Sequence, residues 1–215
     1  MTKGKEDESQ SHSSSIEWQA RRRRIILHAT ESFLLNGYTG TSLDDVAVQA
    51  GVGKPTIYQI FKDKYGLSAA VLKDFCTDLE RACGSAIDMD SPPEECLVKL
   101  GETYTRWMLE SVGKTHRYAV SRLLLEVSGP HPDFAQVWRE EHNKALFFPL
   151  SEYIKRRIEI GDMIGDDPYF IAAQFMGSVY HPANSLIAEN DFNRNIALIR
   201  KKVQLFLRGC TPPAG

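Results

Sequence analysis

The sequence predicts an all-α protein: an N-terminal three-helix head with a helix-turn-helix, then a larger helical bundle. Three observations predict it. Apolar residues recur at helical spacing from Ile26 to Phe206. No stretch alternates as a half-buried strand would. Two short amphipathic segments meet at Gly51 with two residues between them.

Composition sets the outer limits. A chain of 215 residues with 42% hydrophobic and 25% charged residues has the make-up of an ordinary globular protein with a real core. The net charge of −2 excludes a uniformly basic surface, so any basic face must be local. Cys76, Cys83, Cys96 and Cys210 form no C-x-x-C pair, and sparse cysteines fit a reducing compartment. The polar start from Met1 to Ser15 has no apolar region of a secretory signal. No apolar run nears the ~20 residues a membrane span needs. A cytoplasmic protein with no membrane partner is expected.

The elements follow in order. Residues 1–15 carry no apolar pattern and are expected to be disordered. Ser14 and Glu17 are spaced as a capping box, opening a helix that buries Ile26, Ala29 and Phe33 and stops at Gly37. Ser42 and Asp45 repeat the capping spacing ahead of Leu43, Val46, Ala47 and Ala50. A third short helix carries Ile57, Ile60 and Phe61. Asp63 caps a linking helix over about residues 64–88, which Ser91-Pro92-Pro93 closes. The domains are therefore expected at 16–66 and 67–215. In the second, Leu97, Leu100, Tyr104 and Trp107 make one stripe, and a segment from about His116 to Val127 ends at Gly129-Pro130. A further run from Asp133 to Ile160 is bent at Pro149. Pro168 opens a helix that His181-Pro182 kinks, and a last helix follows.

Ser42 to Phe61 meets the demands of a helix-turn-helix. Ala47 is small where the two helices cross, Gly51 tolerates the positive φ of the turn, Val52 fills its inside, and Ile57 pins the second helix to the first. A generic pair of antiparallel helices is the bland alternative. Lys54, Thr56, Tyr58 and Gln59 project from the other face. Lysine suits phosphate or guanine, the hydroxyls suit phosphate, and glutamine pairs with adenine. Lys64 follows within reach of phosphate, and Ser42 sits at a helix N-terminus. Arg21, Arg22, Arg23 and Arg24 read equally as an arm lying along a duplex or as a solvated face. Residues 16–66 hold seven Lys or Arg against five acids, a local excess of two positive charges in a negative chain.

The stretch ATESFLLNGYTGTSLDDVAVQAGVGKPTIYQIFKDKYGL resembles the DNA-binding domain of the TetR family of bacterial regulators. The resemblance rests on Phe33, Gly37-Tyr38, Thr41-Ser42, Val46-Ala47, Ala50-Gly51-Val52, Lys54-Pro55-Thr56-Ile57-Tyr58, Phe61 and Lys64. It implies a homodimer with one head per subunit on a palindromic double-stranded DNA operator, and a ligand-binding domain that answers a small-molecule effector. It also implies phosphate contacts by Tyr58, Lys64, Thr41 and Ser42, with Lys54, Pro55 and Thr56 at the groove. The function it implies is a transcriptional regulator, most simply a repressor released by its effector. Gly53 stands where many relatives have Ser, and Ile60 where many have a polar or aromatic residue. The stretches HPDFAQVW and DPYFIAAQFMG resemble one broad C-terminal subgroup.

The second domain is rich in large rings. Tyr104, Trp107, Trp138, His142 and Phe175 are the candidate lining of a pocket for an apolar or aromatic compound, with plain core packing as the alternative. His142 follows Trp138 by four residues and shares its face. For dimerisation, Phe192, Ile196, Ile199, Val203 and Phe206 form one stripe, and Phe170, Ala173, Met176 and Gly177 a second face. The stripe folding onto its own domain is the other reading.

Other functions fit less well. No G-x-S-x-G, H-E-x-x-H, phosphate loop or metal-ligand spacing is present, so no enzyme, metal or cofactor is expected. An effector-independent DNA-binding protein or an activator stays open. A thiol redox sensor would pair Cys76 with Cys83, but seven helical residues separate them by ~10 Å, beyond the ~7 Å a disulfide spans.

Overall fold

The computed structural model describes residues 3–111, 119–179 and 192–212. Among them the chain is helical, with no strand. The helices are α1 (Lys3–Gly40), α2 (Leu43–Gln49), α3 (Lys54–Phe61), α4 (Lys64–Gly84), α5 (Pro93–Ser111), α6 (Ala119–Ser128), α7 (Asp133–His142), α8 (Phe148–Glu159), α9 (Pro168–Val179) and α10 (Phe192–Leu207). A π-helical turn, Asn143–Phe147, joins α7 to α8. The expected kink at His181-Pro182 lies outside the described residues.

α1 starts at Lys3, ahead of the Ser14–Glu17 capping box, in a stretch expected to lack structure. Its residues (Lys, Glu, Asp, Gln, Ser) contain no proline, so nothing local stops the helix from extending. At Gly37 the helix breaks, with φ 73° and ψ −179°. The sequence places a stop there, and the left-handed φ is the reason a glycine holds the position.

The chain divides into two compact units, 1–74 with 118–135 and 75–117 with 136–215. The division falls inside α4 and inside α7. In the first unit α1 packs on α2 and on α6, and α2 on α3. Ile25, Ala29 and Phe33 of α1, Val46 of α2, Ile57 of α3, Leu67 of α4, Val127 of α6 and Phe134 are buried there. The unit thus recruits the first half of α4 and all of α6, segments beyond the expected boundary at residue 66.

The second unit is built from α5, α8, α9 and α10 with the latter part of α4. α8 packs on α9, and α10 on α5 and α9. Its core includes Leu79, Leu97, Leu100, Leu146, Tyr153, Phe175 and Val203. The expected bend at Pro149 takes the form of the π turn. Proline lacks the N–H that would bond back to Ala145, and Phe148 N bonds instead to Asn143 O, five residues back. No described helix is long and apolar enough to cross a membrane.

Candidate nucleic-acid interface

The two short helices of the head are fixed by local bonds. Ser42 caps α2, its Oγ accepting from Asp44 N at 3.2 Å and Asp45 N at 3.4 Å. The turn closes through Gly51 N to Val48 O at 3.1 Å and Val52 N to Ala47 O at 3.0 Å. Gly51 sits at φ 63°, the left-handed region the turn requires. Ala47 and Ile57 are buried, so α3 is held against α2 along that side. Gly53 occupies the N-cap of α3 with no side-chain cap bond, and Pro55 fills its first turn.

The opposite face of α3 is open. Tyr58 is 46% exposed, Gln59 and Pro55 are exposed, and Lys54 and Thr56 are half-buried. Ile60 is half-buried, which fits a packing role. Lys54 is already paired: its Nζ donates to Asp44 Oδ2 at 2.8 Å. That bond holds the Lys54 ammonium above the ordinary lysine range. Asp44 therefore pairs the cation nearest the open face.

Lys64 lies over the Tyr38 ring, 4.9 Å from its centre, and donates to Thr39 O at 3.3 Å. Partial burial pulls its pKa below the ordinary lysine value. Arg21, Arg23 and Arg24 are exposed, whereas Arg22 is half-buried with its guanidinium 5.6 Å from the centre of the Phe61 ring. The four arginines are thus not equivalent: Arg22 covers the core and three point to solvent.

Thr41 is placed differently from the expected phosphate contact. It is 4% exposed, and its hydroxyl donates to Gly37 O at 2.7 Å and accepts from Ser32 Oγ at 3.3 Å. That bond adds a side-chain donor to the short helical turn that restarts after the break at Gly37. Its neighbour Ser42 remains at the surface edge.

Two residues of α6 that the sequence reading passed over belong to this unit. Glu126 Oε2 accepts from Tyr38 N at 2.5 Å and Thr39 N at 3.3 Å. Arg122 donates to Leu34 O at 2.8 Å and Leu35 O at 3.2 Å. Together they satisfy the amides and carbonyls that the break at Gly37 strands. Nearby, Tyr65 donates to Asp133 Oδ2 at 2.6 Å, and its ring lies tilted against that of His131, 4.4 Å between centres. The Asp133 carboxylate, with burial second, pushes the Tyr65 phenol up to about 12. Arg122 and Glu126 show only as a local i,i+4 pair in the sequence; their partners lie 87 or 88 residues away.

In the second unit, four of the five candidate pocket residues form one ring series. Tyr104 lies 6.0 Å from Trp107, Trp107 4.6 Å from Phe75, Phe75 6.2 Å from Trp138, and Trp138 4.9 Å from His142. Burial pushes the His142 imidazole down to about 4. Phe175 pairs instead with Phe206 at 5.3 Å. Of the expected dimer stripe, Met176, Ile199 and Val203 are buried within their own unit. Ile199 lies over the bare backbone of Gly101 on α5, where the missing side chain lets α10 approach closely. Ile196, Phe206 and Ala173 are half-buried, and Phe170 and Gly177 exposed. The Phe192 side chain lies outside the described residues. Cys76, Cys83 and Cys96 are buried free thiols, and burial raises all three, Cys76 and Cys83 to about 12. Such thiols stay protonated and unreactive, which disfavours the redox-sensor alternative.

Residues 25–71 match the sequence profile of the bacterial regulatory proteins of the tetR family. The HTH-type transcriptional repressor DhaR of Mycobacterium sp. (strain GP1) is 32% identical over 72 residues, which span 34% of this chain and 36% of that one. Two solved structures share the fold. The flavonoid-responsive regulator FrrA aligns with a TM-score of 0.73 at 24% identity, covering 91% of this chain and 100% of its own. The transcriptional regulator FadR of Bacillus subtilis, in complex with stearoyl-CoA, aligns with a TM-score of 0.71 at 21% identity, covering 87% and 98%.

Proposed function

We propose, taking the match of residues 25–71 to the tetR profile as kinship, that this chain is a regulator of that family, a homodimeric repressor that leaves its DNA operator when a small apolar or aromatic compound binds the second unit. The observation that carries the DNA half is the pinned α3. Ile57 is buried against α2 while Tyr58 and Gln59 stand free on the far side. A helix so presented enters a major groove, with Gln59 and Thr56 reading base edges and Lys54 exchanging Asp44 for phosphate or guanine. Tyr58, Ser42 and Lys64 hold the backbone, and Arg21, Arg23 and Arg24 reach along it. Thr41 serves by keeping Ser42 in place.

Dimerisation uses the side of α9 and α10 that the core leaves uncovered. Phe170 is 57% and Leu205 70% exposed, with Ala173, Gly177 and Leu198 alongside on the same two helices. Two copies meeting there bury this apolar surface in a four-helix contact. The paired heads then address half-sites a whole number of helical turns apart.

Release is carried by α4. Its first half contributes Leu67 and Val71 to the core of the head, and its second half Cys76 and Leu79 to the core of the other unit. A compound that shifts the second half moves the first. DhaR is named a repressor, FrrA is named flavonoid-responsive and FadR is seen with stearoyl-CoA. These names support repression and an apolar or aromatic effector here.

Selection of bound duplexes from a random pool tests the reading. The expected product is an inverted repeat bound by two chains, from which an aromatic compound displaces the protein. Enrichment of no sequence, or of a single half-site bound by one chain, contradicts it.

A further inference from the structure

Trp107 is 7% exposed, and its indole Nε1 is a buried donor without a hydrogen-bond partner among the described residues. A donor left so is costly, and such a group calls for an explanation, of which an acceptor supplied from outside is one. Around it stand Phe75 at 4.6 Å and Tyr104 at 6.0 Å, and through Phe75 the series continues to Trp138 and His142. His142 closes α7 where the chain widens into the π turn. Such turns are frequent at functional sites. Tyr169 ties the turn down by donating to Asn143 Oδ1 at 3.1 Å.

From this arrangement we propose that the effector is an uncharged aromatic compound bearing a carbonyl oxygen, and that this oxygen accepts the hydrogen bond of the Trp107 indole. The inference rests on the effector reading above and narrows it. The rings supply aromatic contact area. The stranded N–H demands an acceptor, which a hydrocarbon or a cation lacks. Among the described residues no cationic side chain belongs to the ring series, and its histidine stays neutral, so an uncharged acceptor suits the series better than a carboxylate.

The test uses 2-acetonaphthone, its hydrocarbon counterpart 2-ethylnaphthalene, and 2-naphthoate. The protein has three tryptophans, so the Trp107 indole N–H resonance is assigned by its loss in Trp107→Phe. The ketone is expected to bind the wild-type chain at least tenfold more tightly than either other compound and to move the Trp107 resonance downfield. Trp107→Phe is expected to bind ketone and hydrocarbon alike. The wild-type resonance shift stands by itself if that variant folds poorly. Equal binding of ketone and hydrocarbon by the wild-type chain, tighter binding of naphthoate, or no binding of the ketone overturns the proposal. Operator release, measured alongside, separates the two readings. A ketone bound through Trp107 that leaves DNA binding unchanged supports the donor role and sinks the effector role of the site. Release by an aromatic compound that Trp107→Phe leaves untouched overturns the donor role and keeps the effector reading.

Discussion

The head and the second unit meet their polar obligations in opposite ways. In the head, groups freed by the break at Gly37 find partners, Glu126 on two amides and Arg122 on two carbonyls, and Thr41 adds a bond to Gly37 O. In the second unit, rings and protonated thiols fill the interior, Trp107 keeps an unmet donor and His142 is held neutral. A surface that must present Tyr58 and Gln59 in one fixed pose benefits from full satisfaction, because it leaves few alternative arrangements of equal energy. Among the described residues the second unit leaves two buried donors unmet, Trp107 Nε1 and Arg157 Nε. On the proposed function the contrast is that of a rigid reader and a receptive core, and it breaks in four places.

The largest effect belongs to the second unit. The unfolded chain takes up a proton on His142 at its ordinary value near 6.5, the folded chain only at about 4. Below pH 6.5 protons therefore favour the unfolded chain. This contribution to stability is complete above pH 6.5 and is lost as pH falls toward 4, about 3 kcal/mol in all. Urea unfolding of the wild-type chain and His142→Phe at pH 7 and pH 4.5 measures it. The gap between their stabilities should change by about 2–3 kcal/mol in the variant's favour at the lower pH. An unchanged gap would mean that His142 reaches water and the core is not closed around it.

Next comes the head. Glu126→Ala leaves the Tyr38 and Thr39 amides without their carboxylate and should cost about 2 kcal/mol. Hydrogen exchange at those two amides reports it locally, and operator affinity should fall with it. Glu126→Gln keeps an acceptor and should lose less. If Glu126→Ala exchanges no faster at Tyr38 and Thr39, α6 is not part of the head's scaffold.

Two smaller effects divide the face of α3 and its flank. Gln59→Ala should relax the preference at one base position by about 1 kcal/mol, read from the selected sequences. Lys64→Ala should weaken all duplexes alike and reduce the salt slope by about 1. A base-specific loss at Lys64, or a uniform one at Gln59, would exchange their roles.

Legibility in the sequence followed distance along the chain. Gly51, Ala47 and Ile57 were readable because the turn needs them within eleven residues of one another. Ile57 buried and Tyr58 exposed follow from helical period alone. The break at Gly37 was readable, but its consequences were not. Thr41 turns inward to the Gly37 carbonyl across a kink whose geometry a sequence does not show, and Glu126 arrives from 88 residues away. In the second unit helical spacing put Trp138 and His142 on one face, as found. It could not rank the sides of a helix with apolar residues on both, so Met176, Ile199 and Val203, expected at a dimer surface, are core residues. Phe170, of the same expected set, and Leu205, outside it, are exposed. The π turn before Pro149 was foreseen only as a bend.

The central claim is that α3 reads DNA in pairs. Sedimentation of the full chain with its selected duplex, at rising salt, tests it most directly when run beside Tyr58→Ala/Gln59→Ala. The account predicts two chains per duplex for the wild-type protein. It predicts that the variant, dimeric and folded, loses at least a hundredfold in affinity for that duplex and binds it no better than random DNA. Wild-type binding as a single chain, or undiminished sequence-specific binding by the variant, would contradict it.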